Sequence, residues 1–298
     1  MAKRRKNSKS KKNYPLLIAG VVILIALCVL VAIINYHPAA KPAPGTQPVP
    51  EPKVKPEIKP APVPEPVAKP ESPKKRIYLI LDDAGHNIKQ LMPFLDFPGK
   101  LSIAVIPKLE YSQEAAELIY SHGKTVMLHQ PMQPLGKADP GSGAIYVNMS
   151  DSDIRRTLNE NLDSIPHVAG FNNHMGSAGT SDRRVMDVVL KVAKERNLFF
   201  VDSFTHAGSV CSEVAKKNNM RIAKRNIFLD NDKSKEKIME AFNSGKAVAD
   251  KNGYAVMIGH IWSDELAQTM MELYPEFIEE GYCFESISDF FTLEAEED

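Results

Sequence analysis

Residues 77–83 read Ile77-Tyr78-Leu79-Ile80-Leu81-Asp82-Asp83, five apolar side chains in succession followed by two carboxylates. An uninterrupted apolar run suits a strand buried on both faces, as in a parallel sheet, rather than a half-exposed strand that alternates. The same signature recurs along the chain. Strand-like runs occupy Leu101–Ile106, Thr125–Leu128, Val168–Phe171, Leu198–Val201, Asn226–Leu229, Tyr254–Ile258 and Tyr282–Ser286. Between most of them lie segments of helical period, among them 111–122, 182–196 and 233–252. Strand–helix repeats joined by right-handed crossovers predict an α/β fold, and this many strands fit a closed or nearly closed barrel as well as an open sheet.

Working outward, the chain changes character twice before residue 75. Residues 3–12 carry seven positive charges and no negative one, and residues 16–34 then run without a polar side chain. About 20 apolar residues span a bilayer core. This predicts a basic cytoplasmic tail over 1–15, an uncleaved transmembrane anchor over 16–35 and export of everything that follows. Residues 38–73 hold 13 of the 22 prolines, interleaved with Ala, Val, Lys and Glu. Such a stretch builds no core, and 36–74 reads as a disordered Pro-rich linker. Extended as polyproline II, it reaches on the order of 110 Å.

The remaining segment, 75–298, is the single folded domain predicted. The formal charge of zero hides an asymmetry: residues 1–73 net +8, whereas residues 74–298 carry 25 basic against 33 acidic side chains, a net −8. An acidic domain argues against nucleic acid as a charge-steered partner. No P-loop or Gly-rich dinucleotide fingerprint follows a strand, which argues against a nucleotide. Cys211 and Cys283 are the domain's only cysteines. One bridge between them is compatible with export, but nothing in their spacing requires it.

The polar residues gather where strands end. The successive ends read Asp82-Asp83, His129, Asn172-Asn173-His174, Asp202-Ser203, Asp230-Asn231 and Gly259-His260. The C-terminal edge of a parallel sheet is where α/β proteins place their sites. Asp83, His129 and His174 compose a Zn²⁺-type ligand set with a position left open for water. Such a site lowers the pKa of its water to about 7. Asp82 is then the candidate proton acceptor, His260 the candidate acid, and Asp202 the carboxylate to orient His260. Asn172, Asn173, Ser203 and Asp230 are candidate substrate-binding residues. No nucleophile elbow and no HExxH motif is present.

The segments LILDDAGHN (79–87), LHQPMQP (128–134), GFNNHMGS (170–177), FFVDS (199–203), FLDN (228–231) and IGH (258–260) together resemble the divergent polysaccharide deacetylases, distant relatives of the polysaccharide deacetylases. The resemblance covers 76–291 and implies a distorted (β/α) barrel of about seven strands. Against the better-known deacetylases, Asp82 falls at the base, Asp83 at the metal ligand of a paired-Asp motif, His129 at the first metal histidine and His260 at the late acid. Their second metal histidine falls at Gln133 here, and their Arg-Pro-Pro-Tyr segment at the Asn-Asn-His stretch. His174 is therefore the candidate for the third ligand. What the resemblance implies is removal of acetyl from N-acetylated sugars of a cell-envelope polysaccharide. Two other readings stay open: a non-catalytic glycan- or envelope-binding module that retains the fold, and a metallohydrolase for another bond.

Overall fold

The computed structural model describes residues 75–293. The predicted basic tail, anchor and linker (1–15, 16–35 and 36–74) lie outside the described residues, and no helix among the described residues is long and apolar enough to cross a membrane.

Among the described residues nine strands form one sheet, and their pairings are all parallel. In chain order they are β1 (Lys75–Ala84), β2 (Ser102–Val105), β3 (Thr125–Met132), β4 (Gly170–Met175), β5 (Phe199–Asp202), β6 (Ala223–Lys224), β7 (Ile227–Phe228), β8 (Tyr254–His260) and β9 (Tyr282–Glu285). Their spatial order is β6-β5-β4-β3-β2-β1-β8-β7, with β9 paired to the lower half of β1. The sheet is a curled half-barrel whose two end strands are the two-residue β6 and β7. It has two more strands than the resemblance implies. The short Ala223–Lys224 strand leaves no mark in the sequence, because two residues carry no periodicity.

Helices fill the crossovers: α1 (Ile88–Leu95), α2 (Ser112–Ser121), α3 (Asp151–Ser164), α4 (Arg183–Glu195), α5 (Cys211–Lys217), α6 (Lys235–Asn252) and α7 (Asp264–Glu279), with α8 (Ile287–Leu293) closing the described chain. The α4 helix shows how the sequence sets these. Asp182 accepts a hydrogen bond from Val185 N and so caps one of the free amides of the first turn. Val185, Val188, Val189 and Val192 then recur at helical spacing and are buried against the sheet.

Side-chain parity divides the sheet into two faces. Ile77, Leu79 and Leu81 belong to the cluster under the helices, whereas Tyr78 and Ile80 belong to a second cluster on the concave face. That concave cluster also holds Met127, Val201, Val256 and Ile258. The α8 helix seals it from below: the Phe290 ring meets Tyr78 edge-on at 5.5 Å and Tyr254 at 5.2 Å. Continuing the parity upward, Asp82, His129, Asn172, His174, Ser203, Asp230 and His260 fall on the concave side beyond the seal.

Cys211 and Cys283 are not joined in a disulfide. Cys211 is buried at the start of α5, and burial pushes its thiol pKa up.

Candidate metal centre

Asp82 and Asp83 are neighbours in β1, so a regular pleat would point them to opposite faces. The backbone prevents this. Asp83 takes φ 71°, and the β1–β2 register shifts between Leu81 and Ala84. A left-handed conformation at a non-glycine residue is strained and persists where the surroundings fix it. The result is a bulge that turns both carboxylates toward His129, whose Nε2 lies 3.6 Å from Asp82 Oδ2 and 3.3 Å from Asp83 Oδ1.

His129 and His174 come from adjacent strands, with Pro131 the registered partner of His174. Their rings meet at 4.9 Å and 74°. His174 Nδ1 is 3.0 Å from Asp83 Oδ1. One donor atom each from Asp83, His129 and His174 lies within 4.8 Å of the others. Asp83 Oδ1 is buried and has no hydrogen-bond partner despite the two imidazole nitrogens beside it. Ligands held about 2.0–2.2 Å from a tetrahedral Zn²⁺ are themselves about 3.3 Å apart. The donor set and its spacing therefore fit a small divalent cation. The other Asp83 oxygen is taken: Trp262 Nε1 donates to Oδ2 at 2.9 Å, which leaves Oδ1 for a single bond to a metal.

The electrostatics follow from burial among opposite charges. Burial alone would raise the Asp83 carboxyl, but His129 and His174 hold it far below the usual carboxylate range. Burial would lower His129, yet Asp82 and Asp83 push it up to about 9. Asp82, only 2% exposed, goes the other way: burial raises its pKa, and His129 and His260 offset this only in part.

His260 sits beside Asp82 through the β1–β8 register. Its Nδ1 donates to Asp230 Oδ1 at 2.9 Å, and its backbone N–H donates to Asp230 Oδ2 at 3.0 Å. Burial would lower the imidazole pKa, but Asp230 raises it above the ordinary value. The ring stacks on Trp262 at 4.9 Å and on Phe228 at 6.0 Å.

The carboxylate behind His260 is thus Asp230. Asp202 shares its parity with Phe200, on the helix side of the sheet, and its partners are Phe204 N at 2.8 Å and Ser209 Oγ at 2.7 Å. The residues expected to meet substrate are also engaged internally. Asn172, Asn173, Ser203 and Asp230 are each no more than 2% exposed. Asn172 bonds to His129, Asp82 and Ser203. Asn173 accepts from Ser203 N at 3.0 Å and donates to Met175 O at 2.7 Å, bracing the ends of β4 and β5. Gln133 brings no ligand to the centre; its Oε1 accepts from Val147 N at 2.8 Å.

Sequence reading missed two residues. Trp262 is the chain's only tryptophan and lies two residues past His260, a signal that was available. Arg225 donates to Ser203 O at 2.7 Å and Phe204 O at 2.8 Å and covers the Phe228 ring at 3.7 Å. Nothing local in the sequence marks it.

Residues 79–291 match the family model described as divergent polysaccharide deacetylase. An uncharacterized protein of Haemophilus influenzae Rd is 30% identical over 187 residues, covering 63% of this chain and 67% of that protein. The uncharacterized protein YibQ of Escherichia coli K12 is 30% identical over 185 residues, covering 62% of this chain and 58% of YibQ. Among solved structures, an uncharacterized protein from Agrobacterium tumefaciens C58 superposes with a TM-score of 0.70 at 17% identity, covering 75% of this chain and 92% of that one. At that identity the likeness concerns the fold.

Proposed function

The chain belongs to the divergent polysaccharide deacetylases, and on that premise we propose that it is a membrane-tethered, exported, metal-dependent hydrolase that removes acetyl groups from N-acetylated sugars of a cell-envelope polysaccharide. One observation carries the proposal. A buried, unbonded Asp83 oxygen faces two imidazoles, beside a second carboxylate and an Asp-backed histidine.

Asp83, His129 and His174 would hold the cation, with Zn²⁺ the ion best matched to one oxygen and two nitrogens. A cation there supplies Lewis acidity toward the acetyl carbonyl and lowers the pKa of water. Asp82 takes the proton from the attacking water; its raised pKa makes it a better base than an ordinary carboxylate. Water oxygen bonds to the acetyl carbon, the C–N bond breaks, and His260 gives its proton to the departing amine nitrogen. Asp230 raises the His260 pKa above the ordinary imidazole value, which favours the protonated form that an acid requires. Acetate and a free amino sugar result. Trp262 and Phe228, on which the His260 ring stacks, fix its plane.

The tether rests on the apolar run 16–34 and the Pro-rich stretch that follows. Lys75, where that stretch joins β1, lies at the opposite end of the strand from Asp82 and Asp83.

The test uses the full chain, purified in detergent. Bound metal is quantified, and acetate release from N-acetylated envelope glycan is compared for the parent and His174→Ala. One metal ion per chain and acetate release, both lost in the variant, are expected. A metal-loaded parent that releases no acetate from any such glycan favours the binding-module reading instead. A reporter fused after residue 40 should be active only outside the cytoplasm.

A further inference from the structure

The Asn172 side chain is fully buried and uses both ends of its amide on groups of the centre. Its Oδ1 is 2.7 Å from His129 Nδ1. Its Nδ2 donates to Asp82 Oδ1 at 2.8 Å and to Ser203 Oγ at 3.2 Å. An amide has one acceptor end and one donor end, so these contacts are not independent. With N–H groups directed at the Asp82 carboxylate, the amide oxygen must face His129, and it accepts only if Nδ1 carries the hydrogen. Neutral imidazole then presents its lone pair at Nε2, the nitrogen 3.3 Å from Asp83 Oδ1. The reversed amide would set its oxygen against Asp82 Oδ1 and its N–H groups against Nδ1. That arrangement places the hydrogen of neutral His129 on Nε2, where it would occupy the metal position.

We propose that Asn172 is the positioning residue of the centre: by coupling Asp82 to His129 through one amide, it selects the tautomer of His129 that binds a divalent cation. This rests on the metal-site reading above. It also gives Asn172 a role different from contact with substrate. Backbone supports the amide on both sides, since His129 and Asn172 are registered partners across β3 and β4, and Asn173 ties Ser203 to the same strand end.

The experiment compares the full chain with Asn172→Asp and Asn172→Leu, two side chains that branch at Cγ as asparagine does. Zinc affinity is read by competition with a chromophoric chelator. The Nδ1–H of His129 is followed by proton NMR of the zinc-loaded protein, where a buried imidazole N–H gives a slowly exchanging downfield signal. Asn172→Asp keeps an acceptor against Nδ1–H and, sharing one proton with Asp82 across the contact that Nδ2 makes now, should bind zinc as tightly as the parent or more tightly, with the signal retained. Asn172→Leu removes the acceptor and should bind about 10–100-fold more weakly, with the signal lost. Leucine binding zinc as the parent does, or aspartate binding as weakly as leucine, overturns the proposal. A parent chain that takes up no zinc overturns the metal reading itself, a different result from a parent that binds and a variant series that does not follow the acceptor. Should Asn172→Leu not fold by circular dichroism, Asn172→Ala provides the same comparison.

Discussion

The concave face of the half-barrel has two halves built by the same strands at the same parity. Below, Tyr78, Ile80, Met127, Val256 and Ile258 cluster with Phe290 of α8 and form an apolar plug. Above, only two positions further along the same strands, stand Asp82, His129 and His260. The lower half is a core because a helix covers it. The upper half is a candidate site because no helix among the described residues closes it as α8 closes the lower half, and because its strands end in groups that need partners. A core and a reactive centre can therefore be one surface, divided only by where the cover stops.

Substitutions in the two halves should separate cleanly. The largest effect is expected above: Asp82→Asn should retain zinc but lower acetate release by about 10²–10⁴-fold, the usual loss when a general base is removed. Loss of zinc along with activity would instead make Asp82 a ligand. Below, Phe290→Ala should cost about 3–5 kcal/mol of stability in denaturant unfolding and leave zinc affinity unchanged. A change in affinity there would mean that the halves are coupled.

The third expectation concerns protons. With its pKa raised to about 9, His129 in the metal-free protein is protonated at neutral pH, and a cation must displace that proton. Zinc affinity should therefore rise roughly tenfold per pH unit from 7 toward 9 and then level off, which a chelator competition series would measure. A flat profile would remove His129 from the ligand set.

The smallest effect belongs to the Asp230–His260 pair. The folded pKa of His260 lies above its unfolded value, so the pair's stabilisation is fully present below about pH 6.5 and is lost as pH rises through the folded pKa. Asp230→Asn should accordingly lower the melting temperature of the metal-free protein more at pH 5.5 than at pH 9. Equal loss at both values would mean that the pair acts only by packing.

The parallel α/β architecture and the edge at which the polar residues collect were legible in the sequence, because consecutive apolar runs mark strands covered on both faces. That same property hid the orientation of individual residues. Phe199-Phe200-Val201 gives no alternation, so nothing showed that Asp202 lies on the helix side while Asp230, next in the series, lies on the concave side. Nor does any residue announce the bulge at Asp83, since aspartate tolerates a φ of 71° without requiring it. Chemistry alone singles out Asp83, His129 and His174 in the sequence, and the fold brings their donor atoms together. The sequence suggests Asn172 and Asn173 for substrate, whereas burial gives their hydrogen bonds to the protein itself.

The sealed end of the half-barrel also has a mechanical meaning. Lys75 enters there, at the foot of β1, and α8 ends the described chain as the plug of that same end. Load or length added at either point is transmitted to the foot of the sheet and not to the rim of the site. An extension or fusion joined at either point should therefore leave the geometry of Asp83, His129 and His174 unchanged.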